Sequence, residues 1–142
     1  MWQNPPVENV MTWNGAKSYC QNLLLAGYGG WHLPTIGELR SLIRGCPGTV
    51  TGGACGVTDD CLILPCSGSG DCGDCSLNGG PADGCYWPYE MQGFCGWYWS
   101  SLAVADSGSF LAWCVGFNYG DVGSLMVDEF FFPAHHLVRC VR

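Results

Sequence analysis

Apolar residues recur at helical spacing along two segments in the N-terminal part of the chain. In residues 11–27 they fall every three or four positions, at Trp13, Ala16, Cys20 and the pair Leu23/Leu24, which places them on one helix face. Thr12 precedes this pattern and can accept a hydrogen bond from a backbone N–H of the first turn, and Gly27 is suited to end a helix. The pattern predicts a first helix over residues 11–27.

The second segment carries a capping box. Thr35 is followed three positions later by Glu38, so the hydroxyl and the carboxylate can each accept from the other residue's backbone N–H. The core-facing positions of this helix are Ile36, Leu39, Leu42 and Ile43. Gly45 tolerates the left-handed conformation that commonly follows a last helical turn. We predict a second helix that begins after Thr35 and ends at Arg44.

The apolar period changes to two after residue 96, where strands are predicted. Residues 97–101 form one short aromatic run. Residues 110–118 alternate, with Trp113, Val115 and Phe117 on one face and Cys114 and Gly116 on the other. A turn at 118–121 leads into 122–127 as in a hairpin, and residues 137–142 form a last strand. Helices followed by strands predict an α+β domain with a small twisted antiparallel sheet.

The chain has 11 cysteines in 142 residues, a density that indicates disulfides and an oxidising compartment. Residues 46–85 are rich in Gly, Ser, Asp and Cys, and they offer too little apolar surface to offset their ordering entropy. We interpret residues 1–142 as a single domain in which 46–85 form a long disulfide-linked loop. Eight cysteines in or beside it are expected to pair among themselves, with connectivity left open: Cys46, Cys55, Cys61, Cys66, Cys72, Cys75, Cys85 and Cys95. A zinc or redox role for the Cys72/Cys75 motif is a further alternative, which its Gly, Asp and Ser neighbours disfavour.

Charge is sparse and acidic, with five basic residues against twelve carboxylates and a formal net charge of −7. Residues 45–138 contain no Lys or Arg, which argues against a nucleic-acid partner because such proteins need a basic patch. No apolar run reaches the ~20 residues that span a membrane. The first residues lack the basic start and apolar core of a signal peptide, so we expect an upstream part of the chain to be missing.

Candidate ligand-binding residues are few. Four loop acids could offer oxygens to calcium, but their spacing fits no known cage and we expect no bound metal or cofactor: Asp59, Asp60, Asp71 and Asp74. The adjacent His135 and His136 would point to opposite faces of a strand and so suit structural roles better than a shared metal. The aromatic side chains of Trp87, Tyr89 and Trp97 could stack on a sugar or could simply fill the core. No catalytic constellation is apparent, so we expect a protein that is not an enzyme.

Several sequence blocks together resemble the Lcl C-terminal domain family of bacterial surface and secreted proteins. The blocks are "MTWNGAKSYCQNLLLAGYGGWHLPTIGELRSLI", "GCYWPYEMQGFCGWYWSS", "AWCVGF" and a terminal "VRCVR". The resemblance implies a C-type-lectin-like fold in which the first and last strands pair, with Trp2 near residues 138–141. It also implies that "MWQ" completes a longer first strand, and it brings Cys20 and Cys140 together as a disulfide.

These pairings leave one cysteine over, and we nominate Cys114 because a strand interior suits a small buried thiol. The alternatives are that Cys114 bonds a loop cysteine, leaving a different thiol free, or that it bonds a cysteine outside this chain. The family's function transfers less readily than its scaffold. Glycosaminoglycan binding through a basic surface is implied for the adhesin that names the family, and this chain lacks such a surface.

We therefore expect a secreted, non-enzymatic structural module, located outside the cell or on its surface. Its copies would self-associate into an extracellular filament or surface layer. Low charge density, the expected missing first-strand residues and the apolar run Phe130-Phe131-Phe132-Pro133 motivate this expectation. The alternative is a glycan-binding adhesin domain, motivated by the resemblance and by the Trp and Tyr content.

Overall fold

A computed structural model of the chain describes residues 1–68, 70–127 and 135–142. Its five strands form one sheet: β1 (Val7–Met11), β2 (Trp97–Ala103), β3 (Leu111–Gly116), β4 (Asp121–Met126) and β5 (His136–Val138). The order across the sheet is β1-β5-β2-β3-β4. Together with two helices, the sheet gives the α+β class predicted from the sequence.

The sheet is mixed, whereas the sequence analysis predicted an antiparallel one. β5 inserts between β1 and β2, pairing antiparallel with the first and parallel with the second. The remaining neighbours, β2 with β3 and β3 with β4, pair antiparallel. The parallel pair arises because β5 returns to the middle of the sheet, a long-range pairing that no local apolar pattern encodes.

The first helix, α1 (Trp13–Asn22), is shorter than predicted. Thr12 caps it by accepting a hydrogen bond from the Gly15 N–H, and Leu23 ends it. The chain then makes a tight turn in which Leu25 and Tyr28 exchange two backbone hydrogen bonds of 3.1 and 2.9 Å. Residues 26 and 27 of this turn have φ values of 53° and 82°, which a helix cannot accommodate. The apolar periodicity therefore overstated the helix by five residues at its C-terminal end.

The second helix, α2 (Ile36–Arg40), carries the capping box that the sequence predicted. The Thr35 hydroxyl accepts from the Glu38 N–H at 3.1 Å, and the Glu38 carboxylate accepts from the Thr35 N–H at 2.8 Å. Helical pairing ends at Arg40 rather than Arg44. The next residues form tighter three-residue turns, in which the N–H groups of Leu42 and Ile43 bond to Leu39 and Arg40.

A strand precedes α1 at residues 7–11, where the apolar pattern predicted none. The resemblance implied a first strand at residues 1–3, but Trp2 makes only an isolated bridge there. The three middle residues of β1 are all exposed, and two prolines precede the strand. Met11, assigned to the helix by sequence, is its last residue. The Met11 carbonyl accepts a hydrogen bond of 2.9 Å from the indole N–H of Trp99. This bond anchors the strand to β2.

The centre of the sheet, at β3, is buried on both faces, with one apolar core on each side. The first core contains Trp113, Val115 and Phe117 together with α2. The second contains Ala112, Cys114 and Val138 together with α1. The alternation along β3 was therefore predicted correctly. Because neither face is solvated, β3 is buried from Ala112 to Gly116.

The two ends of the described chain lie side by side. Trp2 pairs with Val141 in an isolated bridge, and the Gln3 N–H donates to the Cys140 carbonyl at 2.9 Å. This is the proximity that the family resemblance implied. Its C-type-lectin-like fold remains a prediction. A disulfide joins Cys20 of α1 to Cys140, closing a separation of 120 residues.

Candidate functional site

The long loop is held by nested disulfides. Cys46–Cys75 encloses Cys55–Cys72, which in turn encloses Cys61–Cys66, with sequence separations of 29, 17 and 5 residues. Cys85–Cys95 ties the end of the loop to the segment before β2. Cys72 and Cys75 thus bond to different partners, and neither thiol is available for zinc or for a redox pair with the other.

A buried arginine organises the interior of this loop. Arg40 is 3% exposed, and its guanidinium donates hydrogen bonds to four loop carbonyls, those of Thr49, Val50, Cys55 and Val57. Burial lowers the pKa of Arg40, and carbonyl dipoles replace the water that the cation loses. Sequence reasoning missed this role because nothing local distinguishes Arg40 from an exposed helix residue.

A second buried arginine holds the chain ends to the first core. Arg139 is fully buried and donates to the backbone carbonyls of Gln3 and Gln92. Its guanidinium carbon also lies 5.3 Å from the centre of the Trp87 ring and 5.6 Å from that of Tyr98. Burial lowers the pKa of Arg139, although the neighbouring Tyr98 acts in the opposite direction.

The three aromatic residues proposed for sugar stacking do not come together. Trp87 is 3% exposed and packs against Phe117 in the first core, whereas Tyr89 is 73% exposed. Trp97 is half-buried and packs against the second core. Its ring covers Gly116, where an added Cβ would lie 2.6 Å from the indole. Trp87 cannot reach a ligand from its buried position.

The four loop acids do not form a cation site. The Asp59 carboxylate accepts from the Gly37 N–H at 2.8 Å. Burial raises the pKa of the Asp121 carboxyl, and the charge of the nearby Asp74 raises it further. Asp60 is exposed and Asp71 half-buried. Within the described ranges, no three His, Cys, Asp or Glu side chains are grouped to hold a metal ion.

Cys114 is a buried free thiol. Its Sγ–H donates to the Gly123 carbonyl at 3.3 Å, and burial raises the pKa of the thiol strongly. The side chain therefore stays protonated and packs as a small apolar group in the second core. The nearby His136 packs edge-on against Trp99 with ring centres 4.7 Å apart. Burial, and secondarily the charge of His135, lowers the pKa of His136.

The outer edge of β4 is one of the two edges of the sheet. Along β4, every second residue directs its backbone N–H and C=O groups toward β3. The backbone groups of the other residues, Val122, Ser124 and Met126, therefore point away from β3. The Val122 N–H meets the Cys72 carbonyl at 2.9 Å. Beyond that contact, no described strand lies beside β4. Residues 122–127 carry no charge and no proline, and the Met126 side chain is 49% exposed.

The opposite edge, β1, borders an apolar cleft of about 560 Å³ lined by Glu8, Val10, Gly93, Phe94 and Leu137. Val10 is 52% exposed and Phe94 is 73% exposed. The cleft therefore presents apolar side chains to solvent, with Glu8 as its single carboxylate. We refer to it below as the β1 cleft.

A third surface lies beside the chain ends. Trp2, Tyr28 and Trp31 help to line a cleft of about 430 Å³. The Arg142 guanidinium carbon lies 4.8 Å from the centre of the Tyr28 ring, and Tyr28 is 48% exposed. We refer to it as the aromatic cleft; sequence reasoning did not single out these residues for ligand binding. The run at 130–133 that motivated self-association lies outside the described residues.

Within the described part of the chain, no helix has the length and apolarity to cross a bilayer. Five disulfides in a domain of this size indicate an oxidising, extracellular environment. A comparison with curated proteins finds no significant match. The model of the Lcl C-terminal domain matches residues 1–142, and the chain therefore belongs to the Lcl C-terminal domain family.

Proposed function

We propose that this domain is a secreted, non-enzymatic structural module whose copies associate through the outer edge of β4 into an extracellular filament or surface layer. The observation that carries the proposal is the unprotected character of this edge. Natural sheets guard their edges with charge, proline or a bulge, and residues 122–127 contain neither charge nor proline. Outward-pointing backbone groups on such a strand can pair with a strand of another chain.

The charge distribution favours the same surface. A molecule with a formal charge of −7 repels its copies. Arg40 and Arg139 are buried. The basic residues left to contact surface carboxylates of a neighbouring copy are therefore Lys17, Arg44 and Arg142. Close approach of two copies costs least where carboxylates are absent, as they are within residues 122–127, between Asp121 and Asp128. The disulfides would keep each subunit folded in the extracellular medium.

Negative-stain imaging and sedimentation of the oxidised protein test the proposal. We expect filaments or large assemblies for the wild type, and for Met126→Lys at least a tenfold rise in the concentration at which assembly begins. Lysine on an edge strand opposes pairing. Leu77→Lys is the matched control, since Leu77 is a loop residue with 53% exposure against 49% for Met126. A wild type that stays monomeric, or two variants that behave alike, would contradict the proposal.

The alternative function, glycan binding, is supported by the aromatic cleft. Tyr28 is the most exposed ring of this cleft, Trp2 is half-buried, and Trp31 is only 3% exposed. Exposed aromatic faces stack on sugar rings because they combine apolar area with polar edges. Titration of neutral and acidic oligosaccharides, followed by tryptophan fluorescence, tests it. Binding that is lost in Tyr28→Ala and kept in the exposed control Tyr89→Ala would favour this alternative. The absence of any fluorescence change across the panel would count against it.

A further inference from the structure

The two edges of the sheet differ in shape and in charge. β4 presents the Met126 side chain, whereas β1 is bordered by the β1 cleft. We propose, resting on the function proposed above, that β4 of one copy adds to β1 of the next. Each contact would then join unlike surfaces, and such contacts extend into a filament when the rotation between copies does not close a ring.

Strand directions within the sheet are compatible with this contact. β1 runs antiparallel to β5, β5 parallel to β2, and the two following pairs are antiparallel. β4 therefore runs opposite to β1. A copy that is shifted sideways along the sheet, without being turned over, brings its β1 antiparallel to β4 of its neighbour. The sheet then continues from copy to copy with the same faces on the same sides.

The apolar side chains meet on one face of that continued sheet. Met126 pairs with Leu111, which packs against the first core. Leu137, in the wall of the β1 cleft, belongs to the first core as well. Met126 of one copy would thus lie on the side where the next copy's cleft opens. Methionine is flexible and fills irregular apolar gaps.

Electrostatic repulsion favours pairing of β4 with β1 over pairing of two identical edges. Pairing two β1 strands about a twofold axis would bring two Glu8 carboxylates together and leave two clefts unfilled. Residues 122–127 have no charge, but Asp121 precedes them and Asp128 and Glu129 follow them in the sequence. Pairing two β4 strands would bring both sets of these acids together, whereas pairing β4 with β1 sets the single carboxylate Glu8 against one set.

A complementation experiment tests this arrangement. Met126→Lys blocks the β4 edge, and Val10→Lys blocks the β1 cleft at a position that is 52% exposed. Each variant alone should sediment as a monomer. An equimolar mixture should form a heterodimer of twice the mass and nothing larger, because each variant retains the edge that the other has lost. Phe94→Lys, which alters the same cleft from a different segment, should complement Met126→Lys in the same way.

Distinct outcomes overturn the inference. If wild type assembles but Val10→Lys alone forms dimers, β4 pairs with β4; dimers of Met126→Lys alone would mean that β1 pairs with β1. If wild type assembles and the mixture stays monomeric, the two edges do not meet. Val10→Lys assembly at the wild-type level means that the cleft is filled by something other than a second copy. A monomeric wild type defeats the proposed function itself, and the inference with it.

Discussion

Two buried arginines and one half-buried aspartate show how single residues shape this domain. The guanidinium groups of Arg40 and Arg139 donate to backbone carbonyls, and within the described chain neither has a carboxylate partner. Charged hydrogen bonds of this kind are each worth about 1.5–3 kcal/mol when intact. The Nε of Arg139 has no hydrogen-bond partner among the described atoms. The Oδ1 of Asp121 is buried with no hydrogen-bond partner among the described atoms. Burial and the nearby charge of Asp74 both disfavour its ionised form, so the charge of Asp121 opposes folding.

The charge of Asp121 therefore predicts a stabilising substitution. Burial, followed by the nearby Asp74 charge, raises the pKa of the Asp121 carboxyl above its value in the unfolded chain. As the pH falls, the folded state therefore binds the proton before the unfolded state does. The destabilisation caused by the charged Asp121 is present in full above the pKa of the folded state. It disappears as the pH falls through that pKa. Asp121→Asn should raise the free energy of unfolding at pH 7.

Denaturant unfolding of oxidised protein at pH 7 and at about pH 3, near the unfolded value for Asp, measures this effect. The gain from Asp121→Asn should shrink at the lower pH, because wild-type Asp121 is then neutral as well. Asp60→Asn removes the same charge from an exposed loop position and should change stability little. Equal gains for both variants would mean that net charge, rather than the environment of Asp121, is responsible.

At the scale of elements, features that depend on nearby residues could be predicted from the sequence. The ends of elements that depend on the tertiary structure could not. The capping box and the alternation along β3 each depend on residues a few positions apart, and both were predicted correctly. The end of α1 was predicted wrongly because Leu24 continues the helical period although its side chain is 78% exposed. The apolar pattern contains no information about the sharp turn of the chain at residues 26–27. Likewise, no local pattern shows that Arg40 is enclosed by loop carbonyls.

The capping box at α2 gives an element-scale prediction. Thr35→Ala removes the acceptor for the Glu38 N–H and should lower the free energy of unfolding by about 0.5–2 kcal/mol. Thr51→Ala is the control, because Thr51 is an exposed turn residue outside both helices. Thermal and denaturant unfolding of the oxidised proteins compares them. No loss for Thr35→Ala relative to Thr51→Ala would show that the cap does not limit stability.

At the scale of the whole molecule, the family resemblance carried more of the topology than composition did. It placed Trp2 beside the last residues, where the bridge to Val141 is found. Neither source indicated the parallel pairing of β5 with β2, and the choice between core and ligand contact for Trp87 stayed open. The aromatic residues proposed for ligand contact were chosen by type, and burial depends on the finished fold. The candidate surfaces therefore became visible only when sheet order and exposure were known.

The net charge of the molecule leads to a prediction about how assembly responds to salt. Acidic copies should repel one another at low ionic strength, where the Debye length is about 30 Å at 0.01 M, and much less at 0.15 M, where it is about 8 Å. The contact between β4 and the β1 cleft is apolar and main-chain in character, so salt should screen the repulsion without weakening the contact. The assembled fraction, measured by sedimentation at fixed protein concentration, should rise over this range. Dissociation by added salt would instead indicate a contact made by opposite charges, and the β4 edge would then not be the surface that joins the copies.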